Sequence, residues 1–295
     1  MTLFIKNFFK KHFFYLYKAI RSVLFPIYKL YQKLSLKKFT ETVLFDFNYA
    51  DIGFKIFLNP KNGFIDKEIF WKGVYEEDFL DFLKQEIHSE DVYIDIGANI
   101  GQHALFVSRI VKRGLVYAFE PNPAIYDQFT KSIEANGIKN IQQYNIGLGA
   151  EKSEQKLFLN TENIGGSSQL QYKDAMSEIT MHIEKGDDIL GPICSKVDFI
   201  KIDVEGFEYE ALVGLTETIK KYKPKMLIEF TPVFYNKKNS QDAQHILDFL
   251  LAHGYSFRDL EAAHSSTVYK TKEEMTAWLT SMTKDQTNIF CFNAI

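Results

Sequence analysis

The stretch with the densest chemical content is Asp198-Phe199-Ile200-Lys201-Ile202-Asp203-Val204-Glu205-Gly206-Phe207-Glu208. Lys201 and Asp203 alternate with apolar residues, and a polar group inside such a run is costly unless it is paired. Two readings stay open. Lys201 forms a structural salt bridge with Asp95 or Asp203, or Asp203 and Glu205 stand beside a reacting group as base or orienting carboxylates. In the second reading Lys201 is a reserve base, since burial lowers a lysine pKa. Glu208 is expected to open the following helix as a favourable first-turn acid.

A second stretch, Asp95-Ile96-Gly97-Ala98-Asn99-Ile100-Gly101, has the form of a strand end running into a helix. Gly97 and Gly101 let the backbone turn sharply and approach a ligand with no Cβ in the way. Glu120 lies 19 residues beyond Gly101, where a carboxylate at the next strand end accepts both hydroxyls of a ribose. Together these features specify an adenosine-bearing ligand. A dinucleotide requires G-x-G-x-x-G to bring its pyrophosphate to a helix N-terminus; this loop is G-x-x-x-G with an acid two residues ahead. S-adenosyl-L-methionine has no phosphate but carries an ammonium, a carboxylate and a sulfonium, and it suits Asp95 and Asn99 better. His103, on the helix after the loop, is expected as a packed residue, and His182 as a residue that could face substrate. No HxxH or DxD spacing is present, so no metal site is assigned.

These residues need elements to position them. Strands fit 92–97, 115–120, 141–146, 197–203, 225–230, 255–260 and 287–292; helices fit 100–112, 123–136, 207–221, 240–253 and 272–281. Alternating strand and helix with nearly continuous apolar strands implies a doubly wound α/β domain with a parallel sheet covered on both faces. Its ligands sit at the carboxyl ends of the strands, which is where both stretches and Glu120 fall. Residues 41–70 read as a small antiparallel addition, a lid or an edge. Residues 151–190 read as a polar insertion near the substrate side with strands at 155–160 and 178–183.

Composition supports a globular chain of 295 residues, 46% hydrophobic and 15% aromatic. Cys194 and Cys291 alone exclude a disulfide framework and a zinc-thiolate site, and a reducing cytoplasmic location is the default. The net charge of −3 hides an asymmetry: residues 1–40 hold nine Lys and Arg and no acid, leaving −12 on the rest. An acidic body disfavours a nucleic-acid partner. The first forty residues have no long uncharged apolar run, so a spanning helix and a signal peptide are both rejected. Wound as a helix, they place Lys6, Lys10, Lys11, Lys18, Arg21 and Lys29 opposite Ile5, Phe9, Leu16, Ile20 and Val23, with Pro26 dividing the helix in two. This amphipathic helical extension (1–40) is expected to lie in the plane of an anionic membrane, peripheral at its inner face. Docking on the body or on a second subunit, giving a homo-oligomer, is the alternative, and an RNA-binding arm is a third.

In order, VYIDIGANIG, AFEPNP, VDFIKIDVEGFEYEAL and KPKMLIEF, together with the upstream GVYEEDFLDFL and the insertion's GGSSQL, resemble the FkbM-type S-adenosylmethionine-dependent methyltransferase family. The resemblance spans about residues 70–235. It implies the class I methyltransferase (Rossmann-like) fold, a seven-stranded sheet with the last strand antiparallel, formed by 41–295. It also implies that Asp95, Gly97, Asn99 and Gly101 form the methionine-side loop, that Glu120 holds the ribose, and that Asn122 and the turn to Gly147 lie near the adenine. The implied reaction is O-methylation of a hydroxyl on a sugar, glycolipid or secondary metabolite, a small-molecule or glycan acceptor. An NAD-dependent oxidoreductase or epimerase is disfavoured by the missing G-x-G-x-x-G and Tyr-x-x-x-Lys patterns. A non-catalytic membrane-associated scaffold is disfavoured by the intact acidic and glycine positions.

Overall fold

The computed structural model describes residues 42–61, 63–159, 177–231, 242–261, 266–284 and 286–293. The expectations for residues 1–40 and for GGSSQL lie outside the described residues. The described chain opens with a hairpin, β1 (Val43–Tyr49) and β2 (Ile52–Leu58), and two helices, α1 (Phe64–Lys72) and α2 (Glu77–Glu86). Alternation then begins with β3 (Val92–Ile96), α3 (Gln102–Ile110), β4 (Leu115–Phe119), α4 (Pro123–Ala135) and β5 (Ile141–Tyr144). An excursion follows through β6 (Gly147–Gly149), β7 (Ser153–Leu159), β8 (Ser177–Lys185) and α5 (Gly186–Ile193). The chain resumes with β9 (Phe199–Ile202), α6 (Glu208–Gly214), α7 (Thr216–Tyr222), β10 (Lys225–Phe230), α8 (Asp242–Ala252), β11 (Tyr255–Asp259), α9 (Lys272–Ser281) and β12 (Thr287–Asn293).

The main sheet has seven strands in the order β11-β12-β10-β9-β3-β4-β5. The pairs β9–β10, β3–β9, β3–β4 and β4–β5 are parallel, whereas β12 is antiparallel to both β10 and β11. The fold class expected from the alternation is therefore present, with its last strand inserted in reverse. Period-two alternation sorts the side chains. Ile94, Ile96, Phe119, Ile200, Ile202 and Ile228 join the apolar layer of one face, and Tyr93, Val116, Ala118, Phe199 and Leu227 that of the other. All four β9 residues are buried, so Lys201 has to find its partner inside the sheet. The register supplies one, because Asp95 of β3 lies directly opposite Lys201.

The hairpin is a small antiparallel addition and not an edge of the seven-stranded sheet. Within the described residues its strands pair with each other, and it buttresses the helix layer with Phe47, Phe54, Ile56 and Leu58 buried. Polar side chains of α4 hold β2 there. Ser132 Oγ accepts from the Phe57 N–H at 2.9 Å, and Gln128 Nε2 donates to the Phe57 carbonyl at 2.8 Å. These bonds occupy backbone groups that an edge strand would use for pairing. The helix expected over 207–221 is divided at Leu215 into α6 and α7. The excursion forms its own three-stranded sheet, order β6-β8-β7. No helix among the described residues is long and apolar enough to cross a membrane.

Candidate active site

After β3 the backbone enters the left-handed region three times within five residues, at Gly97 (φ 79°), Asn99 (φ 51°) and Gly101 (φ 84°). Gly97 is required by contact as well as by φ: a Cβ there would lie 1.8 Å from the Asp203 carbonyl oxygen. At Gly97 the β3 loop and the end of β9 therefore approach backbone to backbone. The Gly97 and Ala98 N–H groups donate to the Phe119 carbonyl, both at 3.0 Å. Glu120, just past β4, accepts from the Asn99 N–H through Oε2 and from the Asn122 N–H through Oε1, each at 2.9 Å. Asn122 Oδ1 accepts from the Ala124 N–H and caps α4, with Pro123 in its first turn.

A second tight turn follows β9. Glu205 (φ 53°) and Gly206 (φ 95°) are both left-handed. For a glutamate this is uncommon and strained, a condition that clusters at functional sites. The turn is closed by Glu208, whose Oε1 accepts from the Gly206 N–H at 3.0 Å and the Val204 N–H at 3.3 Å. Glu208 is thus more than the first-turn acid expected of it. Lys201 Nζ sits 3.0 Å from Asp203 Oδ2 and 3.4 Å from Asp95 Oδ1 and donates to the Gly97 carbonyl at 3.3 Å. Both alternatives for its salt bridge are realised at once.

Gly97, Asn99, Glu120, Asn122, Gly147, Lys201, Asp203 and Glu205 line one cleft at the carboxyl ends of the strands. Asp95 and Gly101 do not. Asp95 is fully buried behind the wall against Lys201, and Gly101 is the N-cap of α3, where the Phe129 ring would be 2.1 Å from any added Cβ. His103 lines the cleft, with Nε2 3.4 Å from Glu76 Oε2 and its ring against Phe79. His182 does not, because it lies exposed beside Glu154 on the face of β8 opposite the cleft-lining Met181 and Ile183.

Sequence reasoning passed over Tyr75, Met181, Ile183, Phe207 and Glu229, all of which line the cleft. Glu229 carried a readable signal, an acid in the otherwise apolar run Met226-Leu227-Ile228-Glu229-Phe230. Met181 and Ile183 are legible only once the face of β8 is known.

Burial and charge sort the ionisable groups. Burial pulls the Lys201 pKa down, but Asp203 and Asp95 outweigh it and hold it above its ordinary value. The ammonium form of Lys201 is thereby favoured, which counts against the reserve-base reading. Burial raises Asp203, yet Lys201 and a hydrogen bond from Glu229 hold it below the usual carboxylate range. Glu205 is pushed up to about 8 by burial and by Asp203 and Glu208. Burial raises Glu120 to about 7 against the two N–H groups it accepts. His103 is lowered to about 3 by burial and by Lys201, so it is neutral. The cleft thus joins apolar walls from Phe119, Ile125 and Leu148 to an excess of carboxylates, a donor set that suits a ligand with a flat apolar ring at one end and positive charge at the other.

Residues 95–257 match the methyltransferase FkbM domain. The chain belongs to this family. It is 27% identical over 189 residues to methyltransferase 1 of Beauveria bassiana, covering 56% of this chain and 73% of that one. It is 30% identical over 148 residues to the hexuronic acid methyltransferase AglP of Haloferax volcanii, covering 49% of this chain and 58% of AglP. A crystal structure of methyltransferase FkbM from Methylobacillus flagellatus KT aligns with a TM-score of 0.44 at 18% identity, covering 69% of this chain and 44% of that one. The chain thus spans less than two thirds of AglP and of the solved structure. This FkbM-type protein is a methyltransferase that uses S-adenosyl-L-methionine, and the cleft's chemistry fits that cofactor: carboxylates for its cationic groups and apolar walls for its adenine.

Proposed function

We propose that this methyltransferase carries out O-methylation of a hydroxyl on a sugar, glycolipid or secondary metabolite. One observation carries the reading: Glu205, with its pKa raised to about 8, faces the same cleft as Glu120, which lies just past β4, one strand beyond β3 in the sheet. In this reading Gly97 and Asn99 hold the methionine end of the cofactor, Glu120 the ribose, and Asn122 and Gly147 the adenine. Asp95 and Gly101 support that loop from behind. The bound cofactor supplies an already activated methyl group, so the chain's own work is to align an acceptor oxygen and remove its proton. A hydroxyl is a weak acid, and a base with a pKa near the working pH removes its proton best. Glu205 meets that requirement. Asp203, tied to Lys201 and hydrogen-bonded by Glu229, is a weaker base and serves to orient. The name of AglP, a hexuronic acid methyltransferase, supports a carbohydrate acceptor. The nine cations and many aromatics of residues 1–40 support an acceptor met at an anionic membrane surface on the cytoplasmic side.

The test is calorimetric titration with S-adenosylmethionine and NAD in parallel, followed by transfer of a labelled methyl group to a panel of free sugars, lipid-linked sugars and phenols. Binding of S-adenosylmethionine alone and formation of a methyl ether are expected. Label recovered on nitrogen or carbon would overturn the hydroxyl assignment, and NAD binding would overturn the cofactor site.

A further inference from the structure

The carboxylate pair at the ends of β9 and β10 has a specific geometry. Ile228 pairs with Ile202 in parallel register, so Glu229 comes next to Asp203 where both strands end, and both side chains line the cleft. Neighbouring positions of parallel strands share a face, which sets the two carboxyls side by side. As two anions they would repel, and a single proton held between them turns that repulsion into a hydrogen bond. The neighbours decide where it resides. Lys201 Nζ lies 3.0 Å from Asp203 Oδ2, which favours the anion on Asp203. Gln286 donates its amide N–H to Glu229 Oε1. An amide N–H only donates, so Oε1 is an acceptor oxygen and Oε2 is the oxygen left to carry the proton.

We infer that Glu229 is a positioning residue, a neutral carboxylic acid whose hydroxyl donates to Asp203 and, with Lys201 on the other side, fixes Asp203 as an oriented anion at the cleft floor. The assignment rests on the reading that Asp203 orients the acceptor. It gives a role to a half-buried acid that neither the ribose-side loop nor the Glu205 base explains. Burial of Glu229 among Asp203 and Glu205 raises its pKa, in keeping with the neutral form. No proton is transferred in this role; the proton stays on Glu229 through the cycle.

The experiment compares Glu229→Gln and Glu229→Leu in the full chain. Glutamine keeps both bonds, its carbonyl accepting from Gln286 and its amide donating to Asp203, whereas leucine fills the space and donates nothing. Glu229→Leu should lower kcat on the order of 10²-fold, the scale of a misplaced reacting group. Glu229→Gln should recover most of that loss, and neither change should alter cofactor affinity. Equal losses in both variants, or weakened cofactor binding in both, would overturn the inference. An acceptor-free readout accompanies these: the infrared difference between wild type and Glu229→Gln should contain the carbonyl stretch of a protonated carboxyl, and Asp203→Asn should shift it. Its absence refutes a neutral Glu229 even if the acceptor class proposed above is wrong, and its presence survives that failure.

Discussion

Asp203 and Glu205 bear the same functional group two residues apart, yet their surroundings push them in opposite directions. Asp203 is held low by Lys201 and the Glu229 hydrogen bond despite its burial, while Glu205 is raised to about 8 by burial beside Asp203 and Glu208. Proton abstraction requires the ionised form, so methyl transfer should rise as pH increases through about 8 and then level. Glu205→Gln should lower kcat by about 10² to 10⁴ with cofactor affinity nearly intact; rapid turnover in this variant would move the base elsewhere. Glu120 makes a separate prediction. Its carboxylate accepts two backbone N–H groups and faces the cleft, so Glu120→Ala loosens the Asn99 turn and, in the proposed cofactor placement, removes the ribose contacts with it. Affinity for S-adenosylmethionine should fall about tenfold or more, measured by calorimetry, since bonds to a charged group contribute about 1.5–3 kcal/mol each. The placement of Glu120, Asp203 and Glu205 in one cleft was legible from their being acids at strand ends. The state of Lys201 was not, because the sequence does not reveal that two carboxylates converge on it.

At the scale of elements, the strand and helix alternation was readable because each buried strand is a compact apolar run and each helix keeps its period. What escaped was decided by contacts distant in sequence. The hairpin has the alternation of an edge strand, but bonds from Ser132 and Gln128 draw it onto the helices instead. Asp95 reads from sequence as a cofactor-loop acid or a partner of Lys201, and only the parallel register sets it opposite Lys201. The junction of the β3 loop with β9 makes a sharp prediction. Gly97→Ala would bring a Cβ to 1.8 Å from the Asp203 carbonyl at a φ of 79°, and strain of this kind costs about 1–3 kcal/mol before the clash is relieved. The variant should melt several degrees lower and lose cofactor binding, as read by thermal denaturation with and without S-adenosylmethionine. Wild-type binding would mean that the two loops can separate without damage to the cleft.

Over the whole molecule, the carboxylates gathered in the cleft set a pH dependence of stability. Glu205 at about 8, and Glu76 and Glu120 at about 7, are raised above the ordinary glutamate value of 4.5. Between that value and their raised pKa the folded chain binds more protons than the unfolded one, so stability falls as pH rises through this window. Asp203 acts oppositely, but its contribution is lost only as pH falls below its ordinary value of 3.8. The cofactor-free protein should therefore melt higher at about pH 5.5 than at about pH 8.5; a flat or reversed profile would contradict the raised carboxyls. The second asymmetry is along the chain, +9 on residues 1–40 against −12 on the rest. Near an anionic bilayer each Lys or Arg contributes about 1 kcal/mol at most, reduced by salt, while Phe8, Phe9, Phe13 and Phe14 supply apolar surface. The full chain should co-sediment with phosphatidylserine-containing liposomes at low salt and be released as salt rises. A chain beginning at Glu41 should stay folded, bind S-adenosylmethionine and remain in the supernatant. Equal sedimentation of both chains would remove the membrane reading. Aggregation of the shortened chain would instead assign the first forty residues to covering an apolar surface of the protein or of a second copy.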